Sequence, residues 1–305
     1  MIPGPDVLPL PASRLVGRPP RALLLAGAGT AIAAFIPLLY LLVRASGAGV
    51  QRVVDVLANR RTLETVGTSV ALVIVVVGAC LIIGVPTGWL LARAHLPFRA
   101  LWVVGAALPL AVPSYVAAYA WLAQFPISGF WAAALILTLV SFPYVTLPVT
   151  AALRSSDPAL EEVARTLGRG PLRSFTETTL PQAWPAAAAG ALLVALYVLS
   201  DFGAVALLRV DAFTRVIYTS YRASFDRVGA TVLALVLVSL ALLLVVAERR
   251  IRGRRHRWRV GVGTQRRAVA VNLRGLSMAL AVAWLALLTG LALGVPLVSL
   301  SLRML

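Results

Sequence analysis

Residues 155–181 read SSDPALEEVARTLGRGPLRSFTETTLP, a polar island between two long apolar runs. It carries four acids (Asp157, Glu161, Glu162, Glu177) and three arginines (Arg165, Arg169, Arg173). The pattern predicts two short helices. Asp157 is a good N-cap, and Pro158 a good first helical residue, because its missing N–H is not needed there. Leu160, Val163, Ala164 and Leu167 fall at i, i+3, i+4 and i+7 and make one apolar face. Glu161 and Glu162 lie near the positive helix start, and Glu161 can pair with Arg165 one turn on. Gly168 suits the position just past the helix end, where the backbone turns left-handed. Gly170-Pro171 turns the chain. A second helix is expected from Pro171, with Leu172 and Phe175 on one face, and Pro181 is expected to close it. A compact helical pair of this kind is a shape that docks into a groove on a partner.

The surroundings decide the setting of this island. Of 305 residues, 60% are hydrophobic and 13% charged, where an ordinary soluble domain is about a quarter charged. This composition specifies an integral membrane protein of the all-α class, because long apolar runs cross lipid as helices. A net charge of +17 would point to nucleic acid in a soluble protein. Here the basic residues, all arginine, lie in loops between apolar runs, where membrane orientation accounts for them. No nucleic-acid partner is expected, whereas membrane lipid is. The single Cys80 lies within an apolar run, which excludes a disulfide framework, and His95 and His256 cannot build a metal site between them.

Taken in order, residues 1–21 are Pro-rich and basic, and are expected to form a flexible cytoplasmic lead. Residues 22–248 form the transmembrane domain, with the island at 155–183 as a loop inside it. Apolar runs at about 22–43, 65–91, 101–123, 130–153, 184–208 and 228–246 supply six core spans, and a run at about 276–300 a seventh. Pro109 and Pro113 break the regularity of the third, and Pro143 and Pro148 kink the fourth. Residues 44–64 read as a polar loop, and 211–227 as a polar and aromatic one. Residues 249–275 are an arginine-rich cytoplasmic linker, read as a positive anchor between domains rather than as a binder of anionic lipid or nucleic acid. The run from Leu291 to Leu302 echoes Ala33 to Val43, with Pro296 matching Pro37, so residues 276–305 read as the first span of a second, incomplete half.

Loop charge sets the orientation. With the N-terminus inside, inner segments carry 19 arginines and outer segments 9. The N-terminus and the island are therefore both expected to face the cytoplasm of a multi-pass protein.

The island also carries a resemblance. Glu162, Ala164, Gly168 and Leu180-Pro181 stand at the spacing of the "EAA" loop in the membrane subunits of ABC importers. Val163 replaces an alanine and Thr178 an isoleucine of that pattern, and both the turn glycine and the final proline are kept. Further pieces resemble the ferric-iron-type permeases of the same family: Trp89 to Arg93 with Leu96-Pro97, Leu108-Pro109-Leu110, Val112-Pro113-Ser114-Tyr115, Ala118 to Trp121, and Ser200 to Tyr218. The resemblance covers about residues 33–246. It implies the type I ABC importer transmembrane fold in a bacterial inner membrane. It implies Glu161, Glu162, Ala164, Arg165, Gly168, Leu180 and Pro181 as the coupling contact for a cytoplasmic ATPase dimer. It also implies a periplasmic or lipid-anchored binding protein, and ferric iron as cargo, with thiamine, a polyamine, sulfate or a phosphonate as alternatives. Ferric-type permeases are usually fused double-length chains, so this chain is expected to be a fragment, which the repeat favours, or a short form pairing with a second permease half.

Other motifs add less. Asp201-Phe202-Gly203 spells a kinase tripeptide, but no glycine-rich phosphate loop or catalytic-loop HRD accompanies it. As an acid in an apolar run, Asp201 either lines a pathway or serves helix packing or capping. Pro109 and Pro113, with Tyr115 beside them, either open a path or only set packing. No Walker A loop, nucleophile–base pair or metal cluster is present. The chain is thus expected to be a transport subunit rather than an enzyme, with no cofactor of its own and with ATP and Mg on the partner ATPase. The reading from a different class is a membrane scaffold or membrane-embedded enzyme, which would need no partner ATPase.

Overall fold

A computed structural model describes residues 21–47, 49–155, 166, 168, 173, 175–253 and 271–304. Six helices among these are long and apolar enough to cross a membrane: Arg21–Ser46, Arg60–Arg93, Phe130–Arg154, Glu177–Ser200, Arg227–Arg250 and Leu276–Arg303. A further pair, Arg99–Ala111 followed by Ser114–Gln124, passes the same test only together and is bent by 96°, the geometry of a broken span or a re-entrant loop. The chain is a multi-pass, all-helical membrane protein, as its composition requires.

Helix α1 (Arg21–Ser46) buries none of its residues and rests against the helix Arg227–Gly253. The supposed loop after it contains a helix, α2 (Val50–Ala58). Val50, Val53, Val54 and Leu57 give it an apolar stripe too short to register as a span. Asn59 then caps α3 (Arg60–Arg93), accepting from the Arg61 N–H at 2.9 Å.

The third apolar run is two helices. Helix α4 (Arg99–Ala107) tightens into a 3₁₀ turn at Leu108–Ala111, and Pro113 takes an extended conformation (φ −59°, ψ 141°) before α5 (Ser114–Gln124). Proline fixes this geometry twice: it restricts itself and pushes Val112 before it to ψ 114°. The fourth span is α6 (Phe130–Ser141) and α7 (Pro143–Arg154), with Pro143 at the tolerated first position of α7.

The fifth span starts earlier and ends earlier than its hydrophobicity implies. A wide π turn, Phe175–Thr179, runs straight into α8 (Leu180–Ser200). Pro181 thus opens a helix rather than closing one, because a first-turn proline sacrifices no intrahelical bond. Gln182 Nε2 donates to the Thr178 carbonyl at 3.0 Å and holds the junction. The span stops at Ser200, and a separate short helix, α9 (Gly203–Leu207), follows. Then come α10 (Phe213–Arg222), α11 (Arg227–Gly253), α12 (Leu276–Thr289), a π turn at Gly290–Gly294 and α13 (Val295–Met304).

The centre of the bundle is the trio α3, α7 and α8. In lipid no hydrophobic force draws helices together, so close van der Waals fit has to do so, and small residues permit it. Gly84 and Gly88, one turn apart on α3, receive Val145 and Val149, one turn apart on α7. A Cβ at Gly84 would lie 2.8 Å from Val145 Cβ, and one at Gly88 2.8 Å from Val149 Cγ1. Thr150 Oγ1 reaches the Gly88 carbonyl at 3.3 Å. From the other side, a Cβ at Gly190 of α8 would meet the Tyr144 carbonyl and lie 2.7 Å from Val145 Cα. Pro148 lacks the N–H that would bond the Tyr144 carbonyl inside α7. Gly190 backs onto that freed oxygen.

The last span is not peripheral. Val271 pairs with Ala94: its N–H donates to the Arg93 carbonyl at 2.7 Å, and the His95 N–H donates to the Val271 carbonyl at 3.2 Å. Trp284 Nε1 donates to Thr87 Oγ1 at 2.9 Å, and Arg303 Nη1 donates to the Tyr119 hydroxyl at 2.6 Å. Helices α12 and α13 thereby brace α4 and α5.

Gly190→Leu should lower stability by about 1–3 kcal/mol, the cost of overpacking a tight contact. Gly27→Leu, with nothing within 4 Å of its added Cβ, should be neutral. Thermal unfolding in mild detergent reads both; equal melting points would contradict the glycine contact.

Candidate functional site

The island is held at both ends by the central trio. Helix α7 delivers the chain at Arg154 and Ser155, where Ser155 Oγ donates to the Ala151 carbonyl at 3.1 Å. Helix α8 receives it through the π turn at Phe175–Thr179, with Thr179 buried. Helices α7 and α8, which supply the two roots of the island, pack on each other at Gly190 and Tyr144.

Glu161, Glu162, Ala164 and Arg165 lie outside the described residues. Gly168 is exposed, with φ +77° and nothing within 4 Å of an added Cβ. Space is therefore not what asks for glycine there. The left-handed backbone does, as the helix-stop spacing predicted. Arg173 Nε and Glu177 Oε1 form an ion pair at 3.1 Å along the second half of the island. Its exposure limits it to a fraction of a kcal/mol. Leu180 is half-buried and Pro181 exposed, both in the first turn of α8.

A second constellation forms at the far end of α8. Asp201 ends that helix and turns its buried carboxylate back on the chain, where Oδ1 accepts from the N–H groups of Ala204 at 3.0 Å and Val205 at 3.4 Å. It thus caps α9 as an N-terminal acid does. Phe202 packs its ring 5.1 Å from that of Tyr218. A Cβ at Gly203 would lie 2.6 Å from Tyr115 Cβ. The tripeptide is therefore a corner, seated on the start of α5 just past Pro113. Ser114 lies beside the carboxylate. The structure thus brings the Asp201 corner, distant in sequence, onto the start of α5, where Tyr115 follows Pro113 by two residues. Tyr115 is exposed, and Pro109 is buried in the 3₁₀ turn before the bend. Two outer ties hold this corner: the Gly129 N–H donates to the Leu208 carbonyl at 2.7 Å, and the Phe213 N–H to Ser69 Oγ at 3.0 Å.

Sequence reasoning missed Gly84, Gly88, Gly190 and Ser69. The paired spacing of Gly84/Gly88 and Val145/Val149 was available, but it does not say which helix meets which.

The family model described as "Binding-protein-dependent transport system inner membrane component" matches residues 84–257, which include the glycine pair, the island and the Asp201 corner. The chain is 36% identical over 203 residues to the Fe(3+)-transport system permease protein FbpB 2 of Haemophilus influenzae, covering 66% of this chain and 40% of that protein. It is 29% identical over 177 residues to the sulfate transport system permease protein CysT of Salmonella typhimurium, covering 51% of this chain and 64% of that one. It is 33% identical over 138 residues to the molybdenum transport system permease protein ModB of Escherichia coli, covering 40% of this chain and 60% of that one. The chain thus spans 40–64% of the length of these relatives. Among solved structures, the MetNI methionine ABC transporter in inward-facing conformations aligns with TM-score 0.54 at 20% identity, over 64% of this chain and 96% of that one. An amino acid ABC transporter aligns with TM-score 0.51 at 15% identity, over 64% and 94%. At such identities the likeness is one of fold, and the fold is that of the type I ABC importer permeases.

Asp201→Ala should cost about 1–2 kcal/mol as a lost cap, while Asp201→Asn, which still offers an acceptor oxygen, should stay within about 0.5 kcal/mol. Denaturation of both variants in detergent distinguishes them. Equal losses would mean the charge, not the cap, is what the corner needs.

Proposed function

The chain belongs to the family of binding-protein-dependent transport system inner membrane components, and from that premise we propose that it is a permease subunit of an ATP-driven importer. The observation that carries this reading is the island at 155–181, rooted at both ends in helices that touch each other. Glu161, Glu162, Ala164, Arg165, Gly168, Leu180 and Pro181 form the contact for a cytoplasmic ATPase dimer. That dimer binds ATP and Mg, and this chain binds neither. ATP-driven closure of the dimer moves the island. Because α7 and α8 are locked at Gly190 and α7 and α3 at Gly84 and Gly88, the three helices move as one body. The access path then switches from outside to inside. The orientation with N-terminus and island in the cytoplasm of a bacterial cell is supported by the 19-to-9 arginine excess on that side.

A soluble or lipid-anchored binding protein brings the substrate to the outer face, and a second permease half, on the same or another chain, completes the path. Ferric iron is the proposed cargo, supported by the Haemophilus influenzae relative at 36% identity. The sulfate and molybdenum relatives favour an oxyanion as the second reading.

Expressed with its ATPase, the chain should co-purify with it in mild detergent. Glu162→Ala should weaken that association about tenfold. Gly168→Asp should insert normally and abolish uptake. Co-purification left intact by Glu162→Ala, with uptake intact in Gly168→Asp, would remove the coupling assignment. Radioactive ferric iron against sulfate and molybdate in the uptake assay decides the cargo.

A further inference from the structure

The end of α3 gathers guanidinium groups from two other elements. Arg99, at the head of α4, donates to the Leu91 carbonyl through Nε at 3.0 Å and Nη2 at 2.6 Å, and to the Ala92 carbonyl at 3.1 Å. Arg154, at the end of α7, donates through Nη2 to the same Leu91 oxygen at 3.3 Å. Arg93 is buried in the same helix end. The C-termini of α3 and α7 offer about half a negative charge each, against the two full positive charges of Arg99 and Arg154, which leaves a surplus of about one positive charge. Among the described residues, neither Arg99 nor Arg154 has an ion-pair partner. Like charges brought to one oxygen repel, so the arrangement favours an anion from outside the chain.

The rim of the cluster is apolar. Phe98 stands at the tip of the α3–α4 turn with φ +52° and is 82% exposed, and Leu101 one turn on is 65% exposed. A left-handed backbone is unfavourable for phenylalanine, and here it aims the ring outward rather than into the bundle. Trp102 Nε1 donates to the Pro97 carbonyl at 3.0 Å, with its ring against the last span. Helix α3 has 34 residues, which makes it about 50 Å long. The bilayer with its headgroups is about 40–45 Å thick, so the end of α3 lies at headgroup depth.

We propose that Arg99 and Arg154 bind the phosphate of an anionic phospholipid, whose acyl chains lie against Phe98 and Leu101. Planar guanidinium groups suit phosphate oxygens, and the exposed ring suits the chains. The site adjoins Ser155, the first residue of the island, so bound lipid steadies the root of that segment. Its placement in the inner leaflet rests on the orientation proposed above; the binding itself does not.

Native mass spectrometry of the full chain, purified in mild detergent, tests this with phosphatidylglycerol, phosphatidylcholine and inorganic phosphate as probes. The wild type should retain one phosphatidylglycerol at least tenfold over phosphatidylcholine. R99Q/R154Q should lose that preference about tenfold with helical circular dichroism unchanged. If that double variant does not fold, R154Q alone serves, since its exposed guanidinium makes one long bond, and about threefold loss is expected. R249Q/R250Q should bind as the wild type does. Equal retention of the two lipids, unchanged retention in R99Q/R154Q or in a folded R154Q, or equal loss in R249Q/R250Q would overturn the site. Displacement of the lipid by millimolar inorganic phosphate would mark a free-phosphate site and overturn the lipid assignment.

Discussion

Everything in this molecule leans on the close approach of α3, α7 and α8. Lipid tails are as apolar as the side chains they meet, so burial of leucine or valine supplies little net attraction inside a membrane. Fit has to substitute. Two glycines on α3 accept two valines of α7, and one glycine on α8 backs onto the carbonyl that Pro148 leaves free. A proline that would weaken a soluble helix thus prepares a surface here. Threonines complete the arrangement by returning their hydroxyls to backbone oxygens, as Thr146 does to Phe142 at 3.2 Å and Thr150 to Thr146 at 2.7 Å.

This contact gives the polar island its mechanical meaning. A loop strung between two independent helices would absorb a push by moving one of them. Here both roots belong to one tightly packed unit, which on the proposed coupling role shares a displacement of the island. At the other end of α8, Asp201, Phe202 and Gly203 dock on the start of α5, just past the 96° bend. One continuous helix therefore joins the exposed island to that bend. On the coupling role proposed above, that continuity carries motion of the island to the bent third run.

The sequence was informative where local physics decides and silent where partners decide. Long apolar runs announced the spans, and the positive φ of Gly168 agrees with the helix-stop spacing of the residues before it. Other features needed the third dimension. Gly203-Ala-Val-Ala-Leu207 is as apolar as the helix before it, so hydrophobicity ran the fifth span through a corner that only Asp201 could mark. Along the chain Pro181 suits a helix stop, yet it opens a helix, because the direction depends on which carbonyls lack a donor. Helix α2 lies within a stretch that reads as a polar loop, its apolar positions filling only nine residues. The tripeptide at 201–203 and the Ser114-Tyr115 pair were both visible, but nothing along the chain says that they touch.

Sidedness of the island is the most direct test of its coupling role. Arg173 is exposed, and the native Cys80 is fully buried, so an Arg173→Cys variant presents one reactive thiol. A membrane-impermeant maleimide should leave it unlabelled in intact cells and label it fully in inside-out vesicles. Labelling from outside intact cells would place the island away from any cytoplasmic motor and contradict the coupling role.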